Sequence, residues 1–75
     1  MYFVIELQTN QDGTAGILTW TYPTKNEALS KYHNILSFAA VSERPVHSAV
    51  VIDEQGRQIA REAFVRLMPE TAPEE

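Results

Sequence analysis

The stretch DEQGRQIAREAFVR, Asp53 to Arg66, decides how this chain folds. Its alternation is weak, and Ala60 to Arg66 could pass for helix. The residues just before settle the choice. Glu54-Gln55-Gly56 reads as a short turn, with Gly56 placed for the left-handed position of a bulged hairpin. A hairpin turn needs a strand on each side. Arg57 to Arg66, RQIAREAFVR, therefore reads as a strand, and Val46 to Asp53, VHSAVVID, as the strand before it. A continuous helix from Glu54 to Arg66 would give a different architecture.

Upstream of this hairpin the period changes. Pro23 stops an extended run, and Thr24-Lys25-Asn26-Glu27 fits a capping box, in which the Thr24 hydroxyl accepts from the Glu27 amide and the Glu27 carboxylate reaches back. A helix is expected from Lys25 to Ala40, about 24 Å long at 1.5 Å per residue. Leu29, Tyr32, Leu36, Ala39 and Ala40 form its apolar stripe, and Glu27 and Lys31 form an i,i+4 pair in the better orientation. Ser42-Glu43-Arg44-Pro45 ends it, since a residue before proline avoids the helical region.

The N-terminal third supplies a second hairpin. Tyr2 to Thr9, YFVIELQT, alternates Phe3, Ile5 and Leu7 against Tyr2, Val4, Glu6 and Gln8. Asn10 to Gly16 contains Asp12-Gly13, a turn pair, and Ile17 to Tyr22, ILTWTY, alternates again. The order is ββαββ. The fold class is α+β: a four-stranded, mostly antiparallel sheet with one helix packed on one face. The first strand is expected at the centre, because YFVIELQT is the most apolar. Residues 1–68 make one domain, and 69–75, with two prolines and three glutamates, read as a disordered acidic tail.

Composition narrows the function. The chain has 75 residues, no cysteine, 44% apolar and 21% charged residues, the balance of a globular chain with no disulfide or Cys-based zinc framework. Glu70, Glu74 and Glu75 carry most of the net charge of −4; without them six basic residues face seven acidic ones. A near-neutral body lacks the footprint of a nucleic-acid binder. No apolar run approaches the ~20 residues that span a bilayer, and MYFVIELQTN has no basic start or small-residue cleavage site. A cytoplasmic protein without a membrane partner is the expectation.

Signatures of catalysis are missing. Three glycines form no phosphate-cradling pattern, and none of Ser30, Ser37, Ser42 and Ser48 lies in a nucleophile elbow. No enzyme activity and no cofactor are expected. The best candidates for a ligand site are Tyr32, His33 and His47. His33 lies at the edge of the helix stripe, His47 opens the third strand, and the two rings could meet if His47 points toward the helix. No third or fourth ligand with the right spacing accompanies them, so no metal site is expected. Arg57 and Arg61, taken to share a face of the fourth strand, would make a small cationic and aromatic patch for single-stranded nucleic acid if Trp20 or Tyr22 lay nearby.

YFVIELQT, KYHNILSFAAVS and PVHSAVVIDEQG resemble a family of short proteins from anaerobic gut bacteria and their mobile elements, prophages included. The family has no established activity. The resemblance implies a ββαββ fold and a bacterial cytoplasmic setting, and no mechanism or site residue follows from it.

Surplus apolar surface points to a partner. One helix covers one sheet face, yet both registers carry apolar residues: Phe3, Ile5 and Leu7 on one, Tyr2 and Val4 on the other, and Val50 and Ile52 against Val51. On the helix, Phe38 falls opposite the stripe, and Val41 follows Asn34 by two turns. A short chain without disulfide or metal often completes its core by association. The expectation is a small interaction or regulatory module, a homodimer or a heteromer with another protein, with Tyr2, Val4, Phe38 and Val41 as contact residues.

Overall fold

The computed structural model describes residues 1–66; the expected tail, 69–75, and the last two residues of the expected domain lie outside the described residues. The elements are β1 (Tyr2–Thr9), β2 (Ala15–Tyr22), α1 (Lys25–Ala39), β3 (Val46–Asp53) and β4 (Gln58–Val65). The four strands form one open sheet in the order β2-β1-β3-β4, with every pairing antiparallel. The first strand is central, as its composition implied, and β2 and β3 run in the same direction on either side of it. The helix lies mainly over β3 and β1.

Local chemistry sets each boundary. Asp12 Oδ1 accepts from the Thr14 amide at 3.0 Å and the Thr14 hydroxyl at 2.7 Å, while Gly13 takes φ +90°. This compact turn lets pairing begin at Thr9↔Ala15, two residues before the expected start of β2. At Thr24 the hydroxyl accepts the Glu27 amide at 3.3 Å and donates to the Glu27 carboxylate at 3.0 Å. Glu27 is thus engaged at the cap. Lys31 forms no ion pair with it and instead lies 4.2 Å over the Trp20 ring, a cation–π contact.

In the β3–β4 turn Asp53 Oδ1 accepts from the Gln55 and Arg57 amides, each at 2.9 Å, and Gly56 takes φ +81°. Those two bonds push the Asp53 carboxyl below its ordinary range, the Arg57 amide contributing most. The register then shifts: Val51 pairs with Ala60 and Ile52 with Gln58, leaving Ile59 as the bulged residue. Both Ile59 and Ala60 pack against the core as a result. The bulge also breaks the period that placed Arg57 and Arg61 on one strand face.

Val4, Ala28, Tyr32, Ile35, Ala49 and Val51 form the core. On the helix the buried positions are Ala28, Tyr32, Ile35 and Ala39, a stripe rotated by one position from the expected one. Leu29 and Leu36 flank it half-buried, and Ala40, expected inside, is the exposed C-cap. Small side chains at Ala28, Ala39 and Ala49 leave room for Tyr32 and Ile35 to enter the sheet. The helix C-terminus has no basic residue in its last turn. Arg66, just after β4, supplies the charge from outside: its Nη2 donates to the carbonyls of Ala39 at 2.6 Å and Ala40 at 3.1 Å, satisfying acceptors at the negative end of the helix dipole.

Candidate functional site

The helix-covered sheet face carries Tyr2, Val4, Glu6 and Gln8 of β1, and His47, Ala49 and Val51 of β3. Among the described residues it contains the one buried polar pair. His47 and Glu6 are 4% and 9% exposed, with Nε2 and Oε2 2.6 Å apart. Gln8 Nε2 donates to the same oxygen at 2.8 Å. Burial raises the Glu6 carboxyl, but the hydrogen bonds from His47 and Gln8, with the charges of His47 and Lys31, outweigh it, and the group titrates below its ordinary range. An ionised Glu6 requires the proton on His47 Nε2. The other ring nitrogen, Nδ1, is buried and meets no hydrogen-bond partner among the described residues.

Tyr32, His33 and His47 lie in three different environments. Tyr32 is 6% exposed in the core; burial first, then the charge of Glu62, raises its hydroxyl against the opposing effect of Arg61, so it stays neutral at ordinary pH. His33 is exposed and meets the Tyr32 ring edge-on, centroids 5.2 Å apart. His47 faces Glu6 in the sheet. Among the described residues no group of three or more His, Asp or Glu side chains is placed to hold a metal ion. The proposed cationic and aromatic patch does not assemble either: Trp20 and Tyr22 belong to β2, at the opposite edge of the sheet from β4 and Arg61, while Arg57 lies in the turn beside Asp53 at 3.3 Å.

Stability should follow the Glu6 titration. A carboxyl whose folded pKa is depressed contributes stability that is fully present above its unfolded value and is lost as the pH falls through the folded one. Urea midpoints are therefore expected to be flat from pH 7 to about 5 and to fall below about 4.5. In Glu6→Gln that acid-side slope should shrink; an unchanged slope would assign it to other carboxyls.

Among the described residues nothing covers the opposite sheet face. β1 turns Phe3, Ile5 and Leu7 toward it, β3 turns Val46, Ser48, Val50 and Ile52, β2 turns Ile17, Thr19 and Thr21, and β4 turns Arg61, Ala63 and Val65. Phe3, Ile5, Thr19, Thr21 and Ile52 line a shallow depression on it, with Asp53 and Glu54 at the rim. Of the expected contact residues, Val4 is fully buried and Tyr2 packs on the same core. Both lie under the helix, which removes Val4 from any interface. The polar Glu6 and Gln8 made that register look like the outer one, and the His47 pair explains why it is not. Phe38 and Val41 are exposed, 65% and 79%, near the helix C-terminus.

Among the described residues no helix is long and apolar enough to cross a membrane. Comparison of the chain with family models, with curated proteins and with solved structures returns no match.

Proposed function

We propose that the protein is a small self-associating interaction module, working by binding and not by catalysis, in which the uncovered sheet face of one copy stacks on that of another. The observation that supports this reading is the chemistry of the face. Phe3, Ile5, Leu7, Val46, Val50 and Ile52 are contiguous on the two central strands, and Arg61, at the β4 edge, is the one charged strand residue turned toward that side among the described residues. A charge-poor apolar sheet face fits a second apolar sheet face about 10 Å away.

The area is adequate. Strands of eight residues extend about 26 Å, and four of them span about 19 Å. Two such faces bury roughly 1,000 Å² together, the lower bound of a specific interface. Phe38 and Val41 stay outside this contact and remain available to another protein. The bacterial cytoplasm is the setting we propose, on the strength of the family resemblance.

Sedimentation at tens of micromolar should report a mass above the 8.5 kDa of one chain. Ile5→Lys, at the centre of the face, should weaken association about 100-fold or more, because an unpaired ammonium would be buried in the contact. Association that survives both Ile5→Lys and Leu7→Lys, with circular dichroism showing folded protein, would rule out stacking through this face.

A further inference from the structure

We propose that β2 is a self-pairing edge: it joins antiparallel to β2 of a second copy about a twofold axis at Leu18, extending one sheet across both copies. This contact uses a different surface from face stacking and goes beyond it.

The two sheet edges are built differently. β4 carries Arg61 and Glu62 and the Ile59 bulge, all devices that discourage strand addition. β2, AGILTWTY, has no charged residue and no internal proline, and its register with β1 is unbroken from Tyr2↔Tyr22 to Thr9↔Ala15. Its apolar side chains are exposed on both faces, Ile17 at 65% and Leu18 at 49%. Lys31, the nearby cation, is held over the Trp20 ring.

The free backbone groups can be assigned. The Asn10 amide donates to the Thr14 carbonyl at 2.8 Å, which makes 10 and 14 a hydrogen-bonded position of the β1–β2 ladder. Bonded and non-bonded positions alternate. Gly16, Leu18, Trp20 and Tyr22 therefore bond to β1, and Ala15, Ile17, Thr19 and Thr21 turn N–H and C=O outward. A twofold axis at Leu18 sets Ile17 opposite Thr19 and Ala15 opposite Thr21, pairing every outward group in about eight hydrogen bonds. Moving the axis one residue either way sets Ala15 opposite Pro23, which has no N–H, or Thr21 opposite Gly13 in the turn.

Two side-chain features favour the same register. Leu18 meets Leu18 of the second copy at the axis. Trp20 lies opposite Gly16, where bare backbone gives the indole a place to lie. Within one copy nothing requires glycine there: a Cβ at Gly16 would meet only Gln8 Oε1, at 3.9 Å. Helices of both copies lie on the same side, so the uncovered faces form one larger surface. Combined with face stacking, the closed assembly has four copies and dihedral symmetry.

The test uses the full chain at about 100 μM, with sedimentation for mass and hydrogen exchange for the outward amides. Amides of Ile17, Thr19 and Thr21 should be protected at high concentration and unprotected on dilution. Leu18→Lys sets like charges opposite each other on the helix side, away from the uncovered face; it should weaken edge pairing about tenfold or more and remove that protection. Thr19→Pro, which deletes an outward N–H at an edge that tolerates proline, should do the same. If these amides exchange freely at every concentration while Ile5→Lys still lowers the mass, edge pairing is wrong and face stacking stands. If Leu18→Lys lowers the mass and Ile5→Lys does not, edge pairing stands alone. A monomeric wild type at this concentration overturns both.

Discussion

His47→Leu is expected to destabilise the fold by about 3 kcal/mol at pH 7, the cost of leaving a buried carboxylate without its shortest hydrogen-bond donor. The substitution leaves the Glu6 carboxylate under the helix with Gln8 as its one remaining hydrogen-bond donor. A domain of this size has roughly 3–10 kcal/mol of total stability, so the variant should keep only part of its stability margin. Glu6→Leu should cost less, because it removes the formal charge from the buried site and leaves only an imidazole N–H without its acceptor. The double variant Glu6→Leu/His47→Phe should recover most of the loss, since replacing both partners of a buried hydrogen bond by apolar groups of similar shape is commonly close to neutral. Urea unfolding at low micromolar concentration, where association adds little, gives the full cycle. A loss under about 0.5 kcal/mol for His47→Leu, or a double variant worse than either single one, would contradict this account of the pair.

Tyr32→Ala should cost about 3–5 kcal/mol, the range for deleting a buried aromatic side chain with partial collapse of the cavity. Tyr32 belongs to one buried cluster with Val4, Ala28, Ile35, Ala49 and Val51. Tyr32→Phe should stay within about 1 kcal/mol, and His33→Ala, at an exposed site, within about 0.5 kcal/mol. The same melts separate packing from ligand binding. A ligand site built on Tyr32 and His33 would make His33→Ala and Tyr32→Phe change affinity for a small molecule or ion while leaving stability alone. Packing makes Tyr32→Ala the one variant that matters.

The turns made most of the fold legible. Asp12-Gly13, the Thr24 capping box and Glu54-Gln55-Gly56 each carry local chemistry that needs no tertiary context. They delimited five elements correctly to within two residues. The helix face was harder to place. Ala28 and Ile35 have the same spacing as Leu29 and Leu36, and a one-position rotation is decided by how closely the sheet allows the backbone to approach. The sheet face was harder still. Glu6 and Gln8 mark the Tyr2–Val4 register as polar, and only the pairing of β1 with β3 sets His47 beside Glu6 and makes burial of that register tolerable. The Arg57–Arg61 stripe failed at the Ile59 bulge, an irregularity that a period-two reading cannot register. Residue type and level along the helix group Tyr32, His33 and His47, and the structure places them in the core, in solvent and against a carboxylate.

The central position of β1 has a consequence for synthesis. The strand made first has one neighbour that follows at once and another that lies beyond the helix, and the ladder with β3 joins Thr9 to Val46 and Tyr2 to Asp53. As the chain leaves the ribosome, the β1–β2 hairpin emerges with one side of β1 open and α1 without the surface it packs on. Closing that long loop precedes most of the stabilising contacts, which slows folding relative to a meander of the same size. The Arg66 clamp on the helix end becomes possible only after β4 has been made. Nascent chains therefore pass through an interval in which β1 offers a bare apolar edge on one side and β2 offers one on the other, and crowding on a polysome is the condition under which such edges would find each other first.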